Sequence, residues 1–226
     1  YMKNIGLKPE YILPHKETTE TDIDALRSKV DKNTASVIVQ QPNFLGGLET
    51  EIDEIANVAN EKGALLHIHS NDPMAFVKIR PPGSYGADIV TAEGQAFVGS
   101  PYSGGNNLGI IACKRAFTNY MPGRLVAQTK DSNGKTRFAL SLSTREQHYG
   151  REKATSNICT NAALNALAAG IFILEHGESG LNKIAEEAHD LAYMFAKQMD
   201  LVPGFKVLSR GPVSYTHLRA HETVLD

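Results

Sequence analysis

The sequence predicts an α/β protein built on a mainly parallel sheet. Three observations carry the prediction. Short apolar runs rich in β-branched residues recur along the first half of the chain, and segments of helical periodicity separate them. The residues after each run are small or polar, as at the carboxyl ends of strands in an open parallel sheet. The chain has 226 residues, 42% hydrophobic and 21% charged, the balance of a globular protein able to bury a core.

Taken in order, Thr21 to Val30 reads as a short helix, with Thr21 and Asp24 in capping-box register, and Ser36–Gln40 as the first strand. Ile52, Ile55, Ala56 and Ala59 then repeat at helical spacing until Gly63 supplies a stop, and Ala64–His69 follows as a second strand. Asp88–Thr91 and Gly109–Cys113 are two further short strands. Gln128–Lys135 is a mixed polar segment and reads as a surface loop. From Thr155 the pattern changes to two long helices, about Ser156–Glu175 and Glu178–Met199, parted at His176-Gly177. The first is apolar over most of its circumference and is expected to be buried on several sides. Gly204–Leu208 reads as the opening of another strand.

Formal net charge is -2 and no block of like charge appears, so the whole chain shows no footprint for nucleic acid or an anionic membrane. Cys113 and Cys159 are too few for a disulfide framework, lack metal-ligand spacing, and suit a reducing, cytoplasmic compartment. The longest apolar stretch, Ala162–Leu174, is too short for a membrane-spanning helix. The chain begins in mid-pattern at Tyr1, so its start carries no targeting information. Ser214–Asp226 matches no expected continuation and reads as a non-native, unpacked tail. His217 and His221 within it stand at i and i+4 but lack the glutamate of a zincin motif, so no metal site is assigned.

Candidate chemistry lies just after the strands. These positions are Gln41–Gly46, Ser70–Pro73 and Ala92–Gln95. Asp72 can face a cationic ring nitrogen or cap a helix that begins at Pro73, and the cap is the favoured reading. The glycine-rich stretch Gly99–Gly109 can cradle phosphate, or simply turn tightly before a strand. The densest polar cluster holds Arg145, Arg151 and Lys153, followed by Thr155, Ser156 and Asn157 as helix caps. Free amides and cations there can converge on an anion, or form a solvated loop with an ordinary cap.

Four strings also carry a resemblance: Glu93-Gly94-Gln95-Ala96-Phe97, Met121–Val126, Leu142–His148 and Arg151–Thr160. Together they resemble the P-protein (glycine decarboxylase) family of the glycine cleavage system, in the form of its subunit 1. The resemblance covers nearly all of Tyr1–Gly211 and implies the fold of fold-type-I pyridoxal-phosphate enzymes. It implies a large α/β domain over 1–154 that lacks its N-terminal part, connecting helices with the start of a small domain over 155–213, and the tail over 214–226. In catalytic members a histidine-lysine pair follows the strand matching Asp88–Thr91, and that lysine holds the cofactor. Gly94-Gln95 stands at that place here, so no covalent cofactor and no catalytic residue is expected in this chain. The resemblance further implies pyridoxal phosphate held by a subunit 2, assembly with it as a heterotetramer, and a lipoylated H protein that receives the aminomethyl group of glycine. Arg124, Arg145, Arg151, Lys153, Thr155, Ser156 and Asn157 are the candidate interface or anion contacts. The alternatives are a self-sufficient aminotransferase or lyase, with its Schiff base on Lys78 or Lys114, and a non-catalytic scaffold subunit.

Overall fold

A computed structural model describes residues 2–15, 18–99, 107–121, 123, 125–141, 147–154, 162–207 and 218–220. The chain divides into two compact units, Cys113–Ala163 and the remainder. The larger unit contains a four-stranded sheet of order β1-β2-β3-β4, with β1 Ser36–Gln40, β2 Leu65–Ser70, β3 Ile89–Glu93 and β4 Gly109–Cys113. β1, β2 and β3 are parallel, as the alternation of elements predicts. Their register sets Gln40 beside His69 and His69 beside Thr91, so three carboxyl ends form one continuous rim.

Strand alternation decides which side chains enter the core. Val37, Val39, Leu66 and Ile68 point to one face, where α1 (Ile23–Lys29) and α2 (Ile52–Glu61) cover them. Ile55 and Leu66 are fully buried, each a contribution of about 1.5–3 kcal/mol from removing its side chain from water. The carboxylate of the buried Asp88 accepts the Leu66 backbone N–H at 2.8 Å, which ties the start of β2 to the start of β3.

Several local expectations change. The cap of α1 is Asp22, whose carboxylate accepts the Ala25 N–H at 2.9 Å. Thr21 instead donates its backbone N–H to Glu49 Oε2, so the Thr21–Asp24 capping box does not form. The connection from β2 to β3 holds only 3-10 turns, Pro73–Val77 and Pro82–Tyr85, each opening on a proline, where no backbone N–H is needed.

Ala163–Met199 forms α4, interrupted at Gly177 with φ 59° and ψ -169°, where the sequence places the break. Its first half does not meet the burial expected of it. Leu164 is 78% and Leu174 84% exposed, and Leu167 and Ile171 are also exposed. These four recur at three- and four-residue intervals, so they form one stripe. Apolar content states what a helix is able to bury, and no described element covers this stripe.

The smaller unit holds the hairpin of β5 (Leu125–Lys130) and β6 (Thr136–Ser141), then one turn of helix, α3 (Gln147–Gly150). Three of the eight residues of the expected loop Gln128–Lys135, Gln128 to Lys130, are therefore strand. Asp131 folds the turn by accepting the N–H groups of Asn133 and Lys135, both at 2.9 Å. At the other end, β7 (Phe205–Val207) pairs antiparallel with β8 (Leu218–Ala220), so three residues of the expected unpacked tail are paired. The rest of that tail, including His217 and His221, lies outside the described residues.

Candidate functional site at the carboxyl rim of the sheet

After β1 the chain turns through Gln41 and a cis-Pro42 into a loop that its own polar groups hold. The Gln41 side chain accepts the Glu49 N–H, and Asn43 Oδ1 accepts the N–H groups of Leu45 and Gly47 while its amide donates to the Thr19 carbonyl. Glu49 is itself buried, and burial pushes its carboxyl above the ordinary glutamate value against the hydrogen bond from Thr21. These side chains build the loop.

After β2, Asp72 is buried and its carboxylate accepts the Met74 N–H at 3.1 Å, capping the turn that begins at Pro73. The favoured cap reading is met. After β3, Glu93 Oε1 accepts the N–H groups of Gln95 and Leu108, and the Gly94 N–H donates to the Leu108 carbonyl. A Cβ at Gly94 would stand 3.0 Å from both that carbonyl oxygen and Ile110, so glycine permits the close approach. The Gly94-Gln95 step is thus fixed at the rim, with Gln95 opening a 3-10 turn.

On the open face of the sheet lies a network that motif reading passes over. His67 Nε2 is 2.8 Å from Thr91 Oγ1, His69 Nδ1 is 3.0 Å from the same oxygen, and His69 Nε2 is 2.8 Å from Asn71 Oδ1. A carbonyl oxygen only accepts, so His69 donates from Nε2 and, when neutral, accepts at Nδ1 from the Thr91 hydroxyl. Thr91 in turn accepts from His67 Nε2–H. Burial, with His69 as a second cause, holds His67 below the usual histidine value. The i, i+2 spacing of the histidines on a strand is the signal that puts both on one face.

Arg151 and Lys153 lie in a 3-10 turn, Arg151–Lys153, and both are exposed. Arg124, Arg145, Thr155, Ser156 and Asn157 lie outside the described residues, as does most of the glycine-rich stretch Gly99–Gly109. Lys78 pairs with Glu186, and Lys114 follows β4 and not β3. Among the described residues no group of His, Cys, Asp and Glu could hold a metal ion, and no helix is long and apolar enough to cross a membrane.

Comparison with known proteins agrees with this fold. The sequence model of the glycine cleavage system P-protein matches residues 11–210. The chain is 44% identical over 192 residues to the probable glycine dehydrogenase (decarboxylating) subunit 1 of Chlorobium chlorochromatii, covering 85% of this chain and 43% of that protein. It is 46% identical over 189 residues to the protein of the same description in Erythrobacter litoralis, covering 83% of this chain and 42% of that one. The chain thus spans less than half the length of these relatives. A crystal structure of glycine decarboxylase (P-protein) of the glycine cleavage system, in inhibitor-bound form, superposes with a TM-score of 0.86 at 32% identity, over 97% of this chain and 49% of that one. The sphingosine-1-phosphate lyase of Burkholderia pseudomallei, at 15% identity and a TM-score of 0.61 over 92% of this chain and 45% of that one, shares the fold alone.

Proposed function

Because this chain belongs to the glycine cleavage system P-protein family, whose fold is that of fold-type-I pyridoxal-phosphate enzymes, we propose that it serves as the subunit without the Schiff-base lysine in an aminomethyl-transferring glycine dehydrogenase. In this reading a second subunit holds pyridoxal phosphate, the cofactor supplies the electron sink for loss of carbon dioxide from glycine, and a lipoylated H protein takes the aminomethyl group. The observation that carries it is Gln95 at the end of β3. A carboxamide nitrogen shares its lone pair with the carbonyl and is no nucleophile, so it cannot hold the cofactor as a lysine amine does.

The other rim groups agree. Asp72 Oδ1 accepts the Met74 N–H, and Glu93 is engaged by two backbone N–H groups. The residues present do not fit a covalently held cofactor, and no catalytic step is assigned through one. The contribution proposed for this chain is a cationic surface that completes the partner's site. Arg124, Arg145, Arg151 and Lys153, with the amides of Thr155, Ser156 and Asn157, form it in this reading, and the exposure of Arg151 and Lys153 supports it. A cytoplasmic location belongs to the same proposal.

Mixing the purified chain with subunit 2 and lipoylated H protein, and following glycine decarboxylation, tests the reading. Activity only on mixing is expected, and borohydride reduction with peptide mapping should yield no phosphopyridoxyl-lysine in this chain. A reduced adduct on Lys78 or Lys114, with activity from this chain alone, would establish the self-sufficient enzyme instead. Full activity of subunit 2 unaided would reduce this chain to a scaffold.

A further inference from the structure

We infer that the exposed stripe of α4 is the seat of a helix from the same polypeptide, supplied by a part of the subunit outside residues 1–226. The inference goes beyond the reading above and stands whether or not this chain completes a partner's site. The first half of α4 has two apolar sides. Asn165, Ala169, Phe172 and His176 recur at four- and three-residue steps on one of them, where Ala169 is buried and the Asn165 amide donates to the Asn107 carbonyl at 3.0 Å. Leu164, Leu167, Ile171 and Leu174 recur on the opposite side, in solvent. No residue from 163 to 174 is charged, whereas a helix side that faces water carries charges. Ile171 also borders a groove of about 520 Å³, lined by Phe97, Val98, Phe172 and Glu175 among others, so the bare surface continues from the helix to the 3-10 turn after β3.

Spacing says what kind of element fits. Steps of three, four and three residues are those of a helix–helix seam, and Ala163, Ala168 and Gly170 beside the stripe let a second helix axis come close. Size says where that helix comes from. Residues 163–174 span roughly 18 Å, so the seam is a strip of that length and one helix width, about 10 Å. A separate protein held stably covers about 800 Å² on each side, far more than this strip offers. A segment of the same chain has no free translation left to lose on docking, so a short seam is enough to hold it. The relatives have the length to supply one, since the part of them that this chain matches is less than half of each.

The test uses the full-length subunit, purified without subunit 2. With the photoreactive substitution Leu174→benzoylphenylalanine, irradiation and peptide mapping should join position 174 to a peptide of the same polypeptide from outside residues 1–226, in a yield unchanged by dilution. Hydroxyl-radical footprinting of the unsubstituted subunit reports on the same face even if the bulky group disturbs folding. The side chains of residues 164–174 should then be oxidised severalfold more slowly in the folded protein than in urea. A cross-link between two copies that fades on dilution would overturn the proposal, as would one that stays within residues 1–226. So would protection that appears only when subunit 2 is added, since that makes the stripe a subunit contact, or oxidation as fast in the folded protein as in the unfolded one. Neither readout uses activity, so an inactive mixture would reject the functional reading and leave this result standing.

Discussion

His69 is fixed in one tautomer by Asn71, and the consequence passes through Thr91 to His67. With its proton given to His69, the Thr91 hydroxyl can only accept from His67. The direction for His67 is downward from 6.5. The unfolded chain therefore takes up that proton first as pH falls below about 6.5, and stability is lost through the window between 6.5 and the lower folded value. Thermal unfolding from about pH 7 to about pH 5 should show this acid loss. His67→Gln, which can still donate to Thr91, is expected to have a flatter profile over the same range. An unchanged slope would show that His67 is not held neutral in the fold. Nothing in the His67-Ile68-His69 string announces this network, because its third member lies 22 residues after His69 and only sheet register brings it near. Asp72 is the opposite case: acid followed by proline states its cap locally.

At the scale of elements, Gly177 divides α4 with a backbone conformation that only glycine adopts readily. Gly177→Ala should cost about 1–3 kcal/mol, read as a lower urea midpoint with an unchanged slope. A neutral result would mean that the two helices run on continuously in solution. The elements legible in the sequence were those with a strong period, α2 and β1 to β4 above all, and the break at Gly177. The hairpin was not legible as such, because Gln128, Thr129, Lys130, Thr136 and Arg137 break up its apolar residues and both strands are largely exposed. Asp131-Ser132-Asn133-Gly134 between two alternating runs was nonetheless a turn signal. The exposure of α4 was illegible for a different reason: a stripe of leucines specifies a buried face without naming what buries it.

For the molecule as a whole, the fold was open to reading and the site only in part. Gln95 follows a recognisable strand, where the resemblance puts the lysine of catalytic members, but the cationic cluster follows no such strand and most of it lies outside the described residues. Lys153 allows folding and function to be separated. It is exposed, so Lys153→Ala should change unfolding stability by no more than about 0.5 kcal/mol. Loss of a charge-assisted contact in the assembled enzyme would lower glycine decarboxylation about ten- to a hundredfold. A decarboxylation loss that merely tracks the unfolded fraction would make the segment structural. Sheet register also has a consequence in time. Ser36 pairs with Leu65, so β1 leaves the ribosome 29 residues ahead of the strand that will hold it. At roughly 5–20 residues per second, β1 spends on the order of seconds with Val37, Ile38 and Val39 unpaired. Asp31 and Lys32 precede this run by a few residues, the position in which charged gatekeepers discourage neighbouring nascent chains from pairing with it first.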